Sequence, residues 1–135
     1  MPAPTATIAA LTAGLTAGLS ARQQPAPLFA FKLPDNIAKL PAIFYSLTSR
    51  NEHSHDGGAA GRGQMLELEL TVVTKTATAA VQILEQLAGA VDELPARSTD
   101  TVRFSGAVVV DTESPVFDSD RQEWVAYLNA TALAS

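Results

Sequence analysis

The stretch Met65–Lys75, with the sequence MLELELTVVTK, contains the strictest alternation of apolar and polar residues in the chain. Its leucines and the first valine alternate with Glu67, Glu69 and Thr71. Because successive side chains of a strand point to opposite faces, this period predicts a β-strand with two different faces. We expect one face to be buried and the other to meet water or a partner, as in an antiparallel sheet.

Two helices are predicted, one at the start of the chain and one directly after this segment. Thr76–Leu94 has apolar residues at helical spacing, with Thr76 as a cap and Pro95 as the stop. Its predicted buried stripe is Ala77, Val81, Leu84, Ala88 and Val91. Residues 5–21 form the other helix, whose predicted apolar face is Ile8, Leu11, Leu15 and Leu19. A second row of small residues (Ala10, Gly14 and Gly18) either allows close approach of a strand or neighbouring subunit, or arises by chance.

Four further segments have the apolar or alternating pattern of strands: Leu28–Leu33, Ala42–Thr48, Thr101–Thr112 and Arg121–Leu133. Gly106 is expected to form a bulge in the third. The residues expected to share the apolar face of a strand are Phe29, Phe31 and Leu33 in the first, Val102, Phe104, Val108 and Val110 in the third, and Trp124, Ala126 and Leu128 in the fourth. The order α-β-β-β-α-β-β predicts an α+β domain, a mostly antiparallel sheet with two helices packed on it.

Composition restricts the function. The chain has 135 residues, a net charge of −5 and no cysteine. This length suits one domain with one core. An acidic chain is a poor candidate for holding nucleic acid, because that affinity comes mainly from lysine and arginine. The lack of cysteine excludes thiolate chemistry. The apolar run Ile8–Leu19 is too short to span a bilayer and follows no positive charge, so we expect neither a membrane span nor a secretory signal.

The glycine-rich stretch Ser49–Gln64 is predicted to be a long loop, and such loops are usually functional or disordered. Its charged and titratable residues are candidates either for contacts between subunits or for solvated charges: Arg50, Glu52, His53, His55, Asp56 and Arg62. The histidines and Asp56 are ligand types that zinc accepts, but the pattern lacks a fourth ligand and a rigid scaffold. The glycines precede a strand instead of a helix, which argues against a phosphate-binding loop.

Two more groups are candidates for contact surfaces. Glu67 and Glu69, on the polar face of their strand, would suit a sheet edge or a wall facing a lumen. Asp118, Asp120 and Arg121 lie in a turn predicted over residues 113–120 and just beyond it, and are candidates for a docking turn. Turn formation is the preferred role of these aspartates, because the full ligand series of a calcium loop is missing. No catalytic residue and no cofactor are predicted.

Several local features recur in a characteristic order. They are an N-terminal Ala/Leu helix with a proline-containing connector, the segment Leu40–Tyr45 (LPAIFY), the loop His55–Gly57 leading through Gly61–Gly63 into a long strand, and Pro115–Asp118 (PVFD) before a strand with Trp124. In order and spacing, the chain resembles the tail terminator, or tail-completion, family of long-tailed bacteriophages. The resemblance covers nearly the whole chain, although the glycine-rich loop is long for this pattern.

The resemblance implies a structural subunit, not an enzyme, that closes with its copies into a hexameric ring. Such a ring caps the head-proximal end of the tail tube, stops polymerisation of the tube protein, and offers its other face to the head–tail connector. Double-stranded DNA would pass through the lumen without specific binding, and no membrane or cofactor is involved. The expected location is the head–tail junction of the virion, after assembly in the host bacterial cytoplasm. An acidic bore containing Glu67 and Glu69 would repel DNA phosphates.

Three alternatives remain from the sequence. The chain could be another connector or stopper component of the same junction. It could be a small ligand-binding or regulatory α+β module. It could also be a metal-dependent enzyme that uses His53, His55 and Asp56.

Overall fold

The computed structural model describes residues 3–33, 39–52 and 63–135. Within them, the elements follow the predicted order and confirm the α+β class. They are α1 (Pro4–Ala21), β1 (Leu28–Ala30), β2 (Ala42–Glu52), β3 (Gly63–Thr74), α2 (Ala77–Asp92), a 3-10 helix (Leu94–Arg97), β4 (Phe104–Asp118) and β5 (Glu123–Ala134).

In the described residues the strands form one five-stranded sheet in the order β1-β2-β3-β5-β4. β1 runs parallel to β2, and every other neighbouring pair is antiparallel. The central strand is therefore β3, the segment whose alternation predicted the sheet. As predicted, the sheet is mostly antiparallel.

Both helices cover the same face of this sheet. Leu66, Leu68 and Leu70 of β3 are buried and belong to one apolar cluster with residues of α1 and α2. Side chains two positions apart lie on one side of a strand, so the helices must share that side. Across β3, the buried positions of β5 are mostly small: Ala126, Leu128, Ala130, Ala132 and Ala134. The predicted buried face of β3 is confirmed, and Ala126 and Leu128 of β5 share a face as expected.

The two helices approach each other closely at the small residues of α1. A Cβ atom built on Gly18 would lie 2.6 Å from Cβ of Ala90 in α2, and one on Gly14 would lie 2.9 Å from a methyl group of Leu94. The row of small residues is thus explained by close approach, but to α2 and the 3-10 helix after it. The strand or neighbouring subunit considered from the sequence is not the partner.

A buried tyrosine attaches α1 to the sheet. The hydroxyl of Tyr45 in β2 shares a 2.8 Å hydrogen bond with the Thr12 hydroxyl and donates to the Ile8 carbonyl at 3.1 Å. The side chain is fully buried, and this burial raises the pKa of Tyr45. A buried hydroxyl with both bonds satisfied stabilises one position of the helix over the strand.

A charged cluster ties the C-terminal ends of the two helices together. Arg22 donates to the Gly18 carbonyl at 3.0 Å and forms an ion pair with Glu93, which also pairs with Arg97. The hydrogen bond from Arg22, followed by that from Arg97, lowers the pKa of Glu93 to about 2. The Arg22 guanidinium lies over Gly89, where a Cβ atom would come within 2.5 Å of it.

Several predicted boundaries and faces are wrong. β1 ends at Ala30 because Phe31 adopts a left-handed conformation (φ 73°), so Phe31 is exposed and the predicted apolar face of this strand does not form. In α2 the buried stripe is rotated from the predicted one, leaving Val81 exposed. The stripe is Ala80, Ile83, Leu84, Leu87, Ala90 and Val91. The helix ends at Asp92 and Leu94 begins the 3-10 helix, because Leu94 turns back into the core.

Both ends of the loop predicted over residues 49–64 belong to strands. β2 continues to Glu52 and β3 begins at Gly63, and these two residues are paired in the ladder. β3 is long enough to pair also with the polar residues 49–52 of β2. Backbone hydrogen bonding does not require apolar side chains, so polar residues there join the sheet.

The largest difference concerns β4. The bulge predicted at Gly106 is confirmed as a register shift against β5, but it reverses the alternation that follows. Ala107 and Val109 pack on the core, whereas Val108 and Val110, which were expected on the buried face, are exposed. The turn predicted over 113–120 is also wrong, because the strand continues through Pro115 to Asp118. Proline is tolerated there because β4 lies at the edge of the sheet.

Candidate docking surface

The face of the sheet opposite the helices is polar at its centre. Glu67 and Glu69 of β3 are exposed there, flanked by Ser46 and Thr48 on β2 and by residues 129 and 131 on β5. These residues line a shallow depression of about 350 Å³. The exposure predicted for the two glutamates is confirmed. Their place in a lumen stays a prediction.

The same face becomes apolar towards β4. Val108 and Val110 are 56% and 60% exposed, and Val116 is exposed further along the strand; Phe117, the next residue, is exposed on the side of the helices. The Phe117 ring packs at 5.3 Å on Trp124, the residue opposite it on β5. Exposed aliphatic side chains that follow one edge strand mark a contact surface more often than scattered ones do.

Both edges of the sheet expose backbone groups. β4 is the outer strand on one side, and on the other side β1 pairs only with residues 43–45 of β2. Among the described residues, no strand pairs with Ser46–Glu52 on that side. Unpaired strand edges can accept a strand from another chain. We call the stretch Ser46–Glu52 the open edge of β2.

Phe31 lies where β1 stops following β2. Its N–H still donates to the Tyr45 carbonyl at 2.6 Å, and its left-handed backbone then turns the chain away. The side chain is 52% exposed. A bulky residue in this conformation is an uncommon and strained arrangement. Because the chain turns away at Phe31, β1 leaves the open edge of β2 uncovered.

The turn between β4 and β5 is held by its own aspartate. The Asp118 carboxylate accepts hydrogen bonds from the N–H groups of Asp120 and Arg121 at 3.1 and 3.4 Å. Gln122 completes the turn with a positive φ of 56°. This geometry agrees with the turn-forming role preferred for these aspartates. Their contact with a partner remains a prediction.

The other predicted site residues fall in or beside the glycine-rich segment. His53, His55, Asp56 and Arg62 lie outside the described residues. Arg50 lies on β2, opposite Met65, and Glu52 is the last residue of that strand. The roles of these loop candidates stay predictions.

Sequence reasoning missed the apolar edge of β4 and the open edge of β2. The run of three valines at positions 108–110 was a usable signal, since strict alternation cannot bury all three side chains. For the β2 edge, the signal was the length of β3, which exceeds that of the predicted partner strand.

Residues 3–33, 39–52 and 63–135 contain no group of three or more histidine or acidic side chains placed to hold a metal ion. In the same ranges, no helix combines the length and the hydropathy that crossing a bilayer requires.

Comparisons with known proteins give remote likenesses among solved structures. No family model matches the chain, and no curated protein matches it. Among solved structures, the chain is similar to one from the "Virion of native gene transfer agent (GTA) particle". The two share 15% sequence identity with a TM-score of 0.48, over 94% of this chain and 96% of the other. A likeness at this level does not assign a function.

Proposed function

We propose that this chain is a structural virion protein, a tail terminator that forms a ring on the head-proximal end of a phage-type tail tube. In this role it ends polymerisation of the tube and offers a docking surface to the head–tail connector. The order of motifs described from the sequence supports the family, and the α+β fold agrees with it.

The observation that carries the proposal is a sheet with one uncovered face and an exposed strand edge on each side. The uncovered face is polar at Glu67 and Glu69 and apolar at Val108 and Val110. Backbone groups and aliphatic side chains exposed in this way are stabilised when another chain covers them. A subunit of an assembly needs such surfaces on more than one side.

The acidic centre of the open face suits a bore that DNA passes through. Carboxylates repel phosphates and offer no counterion release, so DNA would slide without being held. In the ring, Glu67 and Glu69 are therefore assigned to the wall of the lumen.

Light scattering and tube capping test the assembly role. Six copies of the 14.1 kDa chain would weigh about 85 kDa. Light scattering should give this mass for the ring, either from the purified chain or after release of the ring from tails. Added to growing tubes of the tail tube protein from the same virus, the chain should stop elongation and appear in electron micrographs at one tube end. Tubes that keep growing, or labels scattered along them, would contradict a terminator.

A charge reversal tests the lumen assignment. The double variant Glu67→Lys/Glu69→Lys is expected to give the assembled ring an affinity for double-stranded DNA that weakens with salt. The matched control is Glu85→Lys/Asp92→Lys, because both residues are exposed on α2, on the covered side of the sheet. Equal DNA binding by the two double variants would place the glutamates away from the bore.

The alternative role, a connector or stopper component of the same junction, differs from the terminator role in what the chain binds. A connector or stopper component would bind the head side of the junction and leave tube growth unchanged. Binding to purified tubes compared with binding to tail-less heads separates the two roles.

A further inference from the structure

The open edge of β2 and the first part of β4 lie at the same level of the sheet, on opposite sides. Thr48 of β2 is opposite Glu67 of β3, which is opposite Thr131 of β5, which is opposite Val108 of β4. This row crosses the sheet perpendicular to its strands. A second copy placed beside the first without a shift along the strands would therefore bring Val108 next to Thr48.

The open edge of β2 directs specific backbone groups outwards. Ile43 donates its N–H to the residue before β1, and the Tyr45 carbonyl accepts from the residue after β1. The direction of backbone groups alternates along a strand, so Leu47 and Ser49 point theirs to the same side. Ser49 is exposed. These groups can continue the ladder that β1 begins.

β4 offers a regular stretch at the matching level. Residues 106–109 lie between the register shifts at Phe104/Gly106 and Val109/Asp111. A third shift at Glu113/Val116 and the proline at position 115 lie further along the strand. Bulges and proline hinder pairing at an edge. The half of β4 that remains able to pair is the half level with the open edge of β2.

Charge favours pairing of the two different edges over pairing of two equal ones. β4 contains three acidic residues and no lysine or arginine. β2 contains Arg50, with Glu52 as its one acidic residue, and Lys32 follows β1. Two copies of β4 side by side would bring like charges together, which destabilises a strand pair. β2, with one arginine and one acidic residue, adds no such excess of negative charge.

We propose that β4 of one copy adds as a strand to the open edge of β2 on a second copy of this chain. Within one chain β2 and β4 run in opposite directions, so copies in the same orientation pair antiparallel and keep their polar faces on one side. A contact between two different surfaces repeats from copy to copy and can close a ring. This inference rests on the self-association in the proposed function and specifies its interface.

Disulfide trapping tests the pairing, because the natural chain has no cysteine. Thr48→Cys and Val108→Cys are single variants at exposed strand positions. Residues directly opposite in an antiparallel pair have Cα atoms about 4.5–5.5 Å apart, within reach of a disulfide. Mixed and oxidised, the two variants should form covalent dimers that contain one chain of each kind. The double variant in one chain should form a ladder of longer covalent oligomers.

The matched control is Ser49→Cys, which is exposed at the next position of β2 but faces the opposite side of the sheet. Mixed with Val108→Cys, it should yield roughly tenfold less dimer, because the two Cβ atoms point apart. Equal yields would show random collision and overturn the pairing. Dimers from Val108→Cys alone would show that β4 pairs with β4, which also overturns it.

A backbone variant tests the same contact without a cross-link. Ser49→Pro removes an N–H that points away from β3, so the β2–β3 ladder is kept, whereas Ser49→Ala keeps that N–H. Self-association of the proline variant should weaken by about tenfold or more, since a partner carbonyl loses its donor, and the alanine variant should match the natural chain. Thermal unfolding of both variants checks that the subunit itself is intact. If an intact Ser49→Pro chain associates like Ser49→Ala, the strand addition is wrong.

Failure of this interface and failure of the proposed function give different results. A ring of normal mass with no Thr48–Val108 dimer overturns the strand addition and leaves the tail terminator role in place. Specific Thr48–Val108 dimers from a chain that never caps tail tubes support the strand addition and overturn the terminator role. A chain that stays monomeric at high concentration and on tail tubes overturns both.

Discussion

The two faces of one sheet differ in how they are stabilised. On the covered face, Leu66, Leu68 and Leu70 are buried under two helices, and the Tyr45 hydroxyl there has two partners. On the open face, the intervening Glu67 and Glu69 are exposed. The same alternation produces both faces, since each residue of β3 is assigned to one side by its position. The chain therefore stabilises one face by itself and leaves the other exposed.

The largest effect is expected from removing an apolar side chain on the covered face. Leu70→Ala should lower the free energy of unfolding by about 2–5 kcal/mol, because Leu70 is fully buried and a cavity would remain. Glu69→Ala, the preceding residue on the open face, should change it by less than about 0.5 kcal/mol. Urea unfolding of the three chains measures both values. Similar losses for the two variants would mean that the faces do not differ as described.

The next largest effect is expected where α1 and α2 are in close contact. Gly18→Ala should lower the free energy of unfolding by about 1–2 kcal/mol, because overpacking against Ala90 outweighs the gain in helix propensity. Gly106→Ala is the control at the sheet edge, where an added Cβ meets no atom within 4 Å. Thermal unfolding should rank Gly18→Ala well below Gly106→Ala. The reverse order would show that the helices are not in close contact.

A smaller effect is expected at the start of α2. The Thr76 hydroxyl accepts a hydrogen bond from the Ala79 N–H at 3.2 Å and caps the helix. Thr76→Ala should lower the free energy of unfolding by about 1 kcal/mol. Thr78→Ala, at the exposed second position of the same helix, should stay within about 0.5 kcal/mol of the natural chain. Equal values for both alanine variants would rule out the cap.

The smallest effect is one of pH on the cluster that joins the helix ends. The pKa of Glu93 is lowered from 4.5 to about 2 in the folded chain, so this carboxylate stabilises the fold fully above pH 4.5. That contribution is lost as the pH falls towards 2. Glu93→Gln should therefore reduce stability at neutral pH and make little difference near pH 2, with Glu85→Gln on the exposed side of α2 as the control. A deficit of Glu93→Gln that persists near pH 2 would contradict an ionic role.

The element order and the covered face could be predicted because both follow from local patterns. The leucines of β3 and the alanines of β5 recur every second residue, and Thr76 and Pro95 mark the ends of a helical segment. These signals need no knowledge of neighbours. The order of strands in the sheet carries no such local signal.

The features that were missed depend on tertiary position. The bulge at Gly106 was expected, but its effect on Val108 and Val110 depends on the partner strand β5. Pro115 indicates a turn unless β4 is known to lie at an edge. The open edge of β2 follows from Phe31, whose left-handed conformation no pattern of apolar residues encodes. The candidate surface combines these features, so only its glutamates could be named in advance.

The guanidinium over Gly89 has a consequence for how the chain can change in evolution. An alanine at position 89 would overlap Arg22, yet Arg22 is also one of the two partners of Glu93. Because the overlapping atoms are the far end of a flexible side chain, Arg22 can move aside by adopting another rotamer. Glu93 then keeps Arg97 as a partner, so a larger residue at 89 weakens the link between the two helices and still leaves the acid at 93 paired.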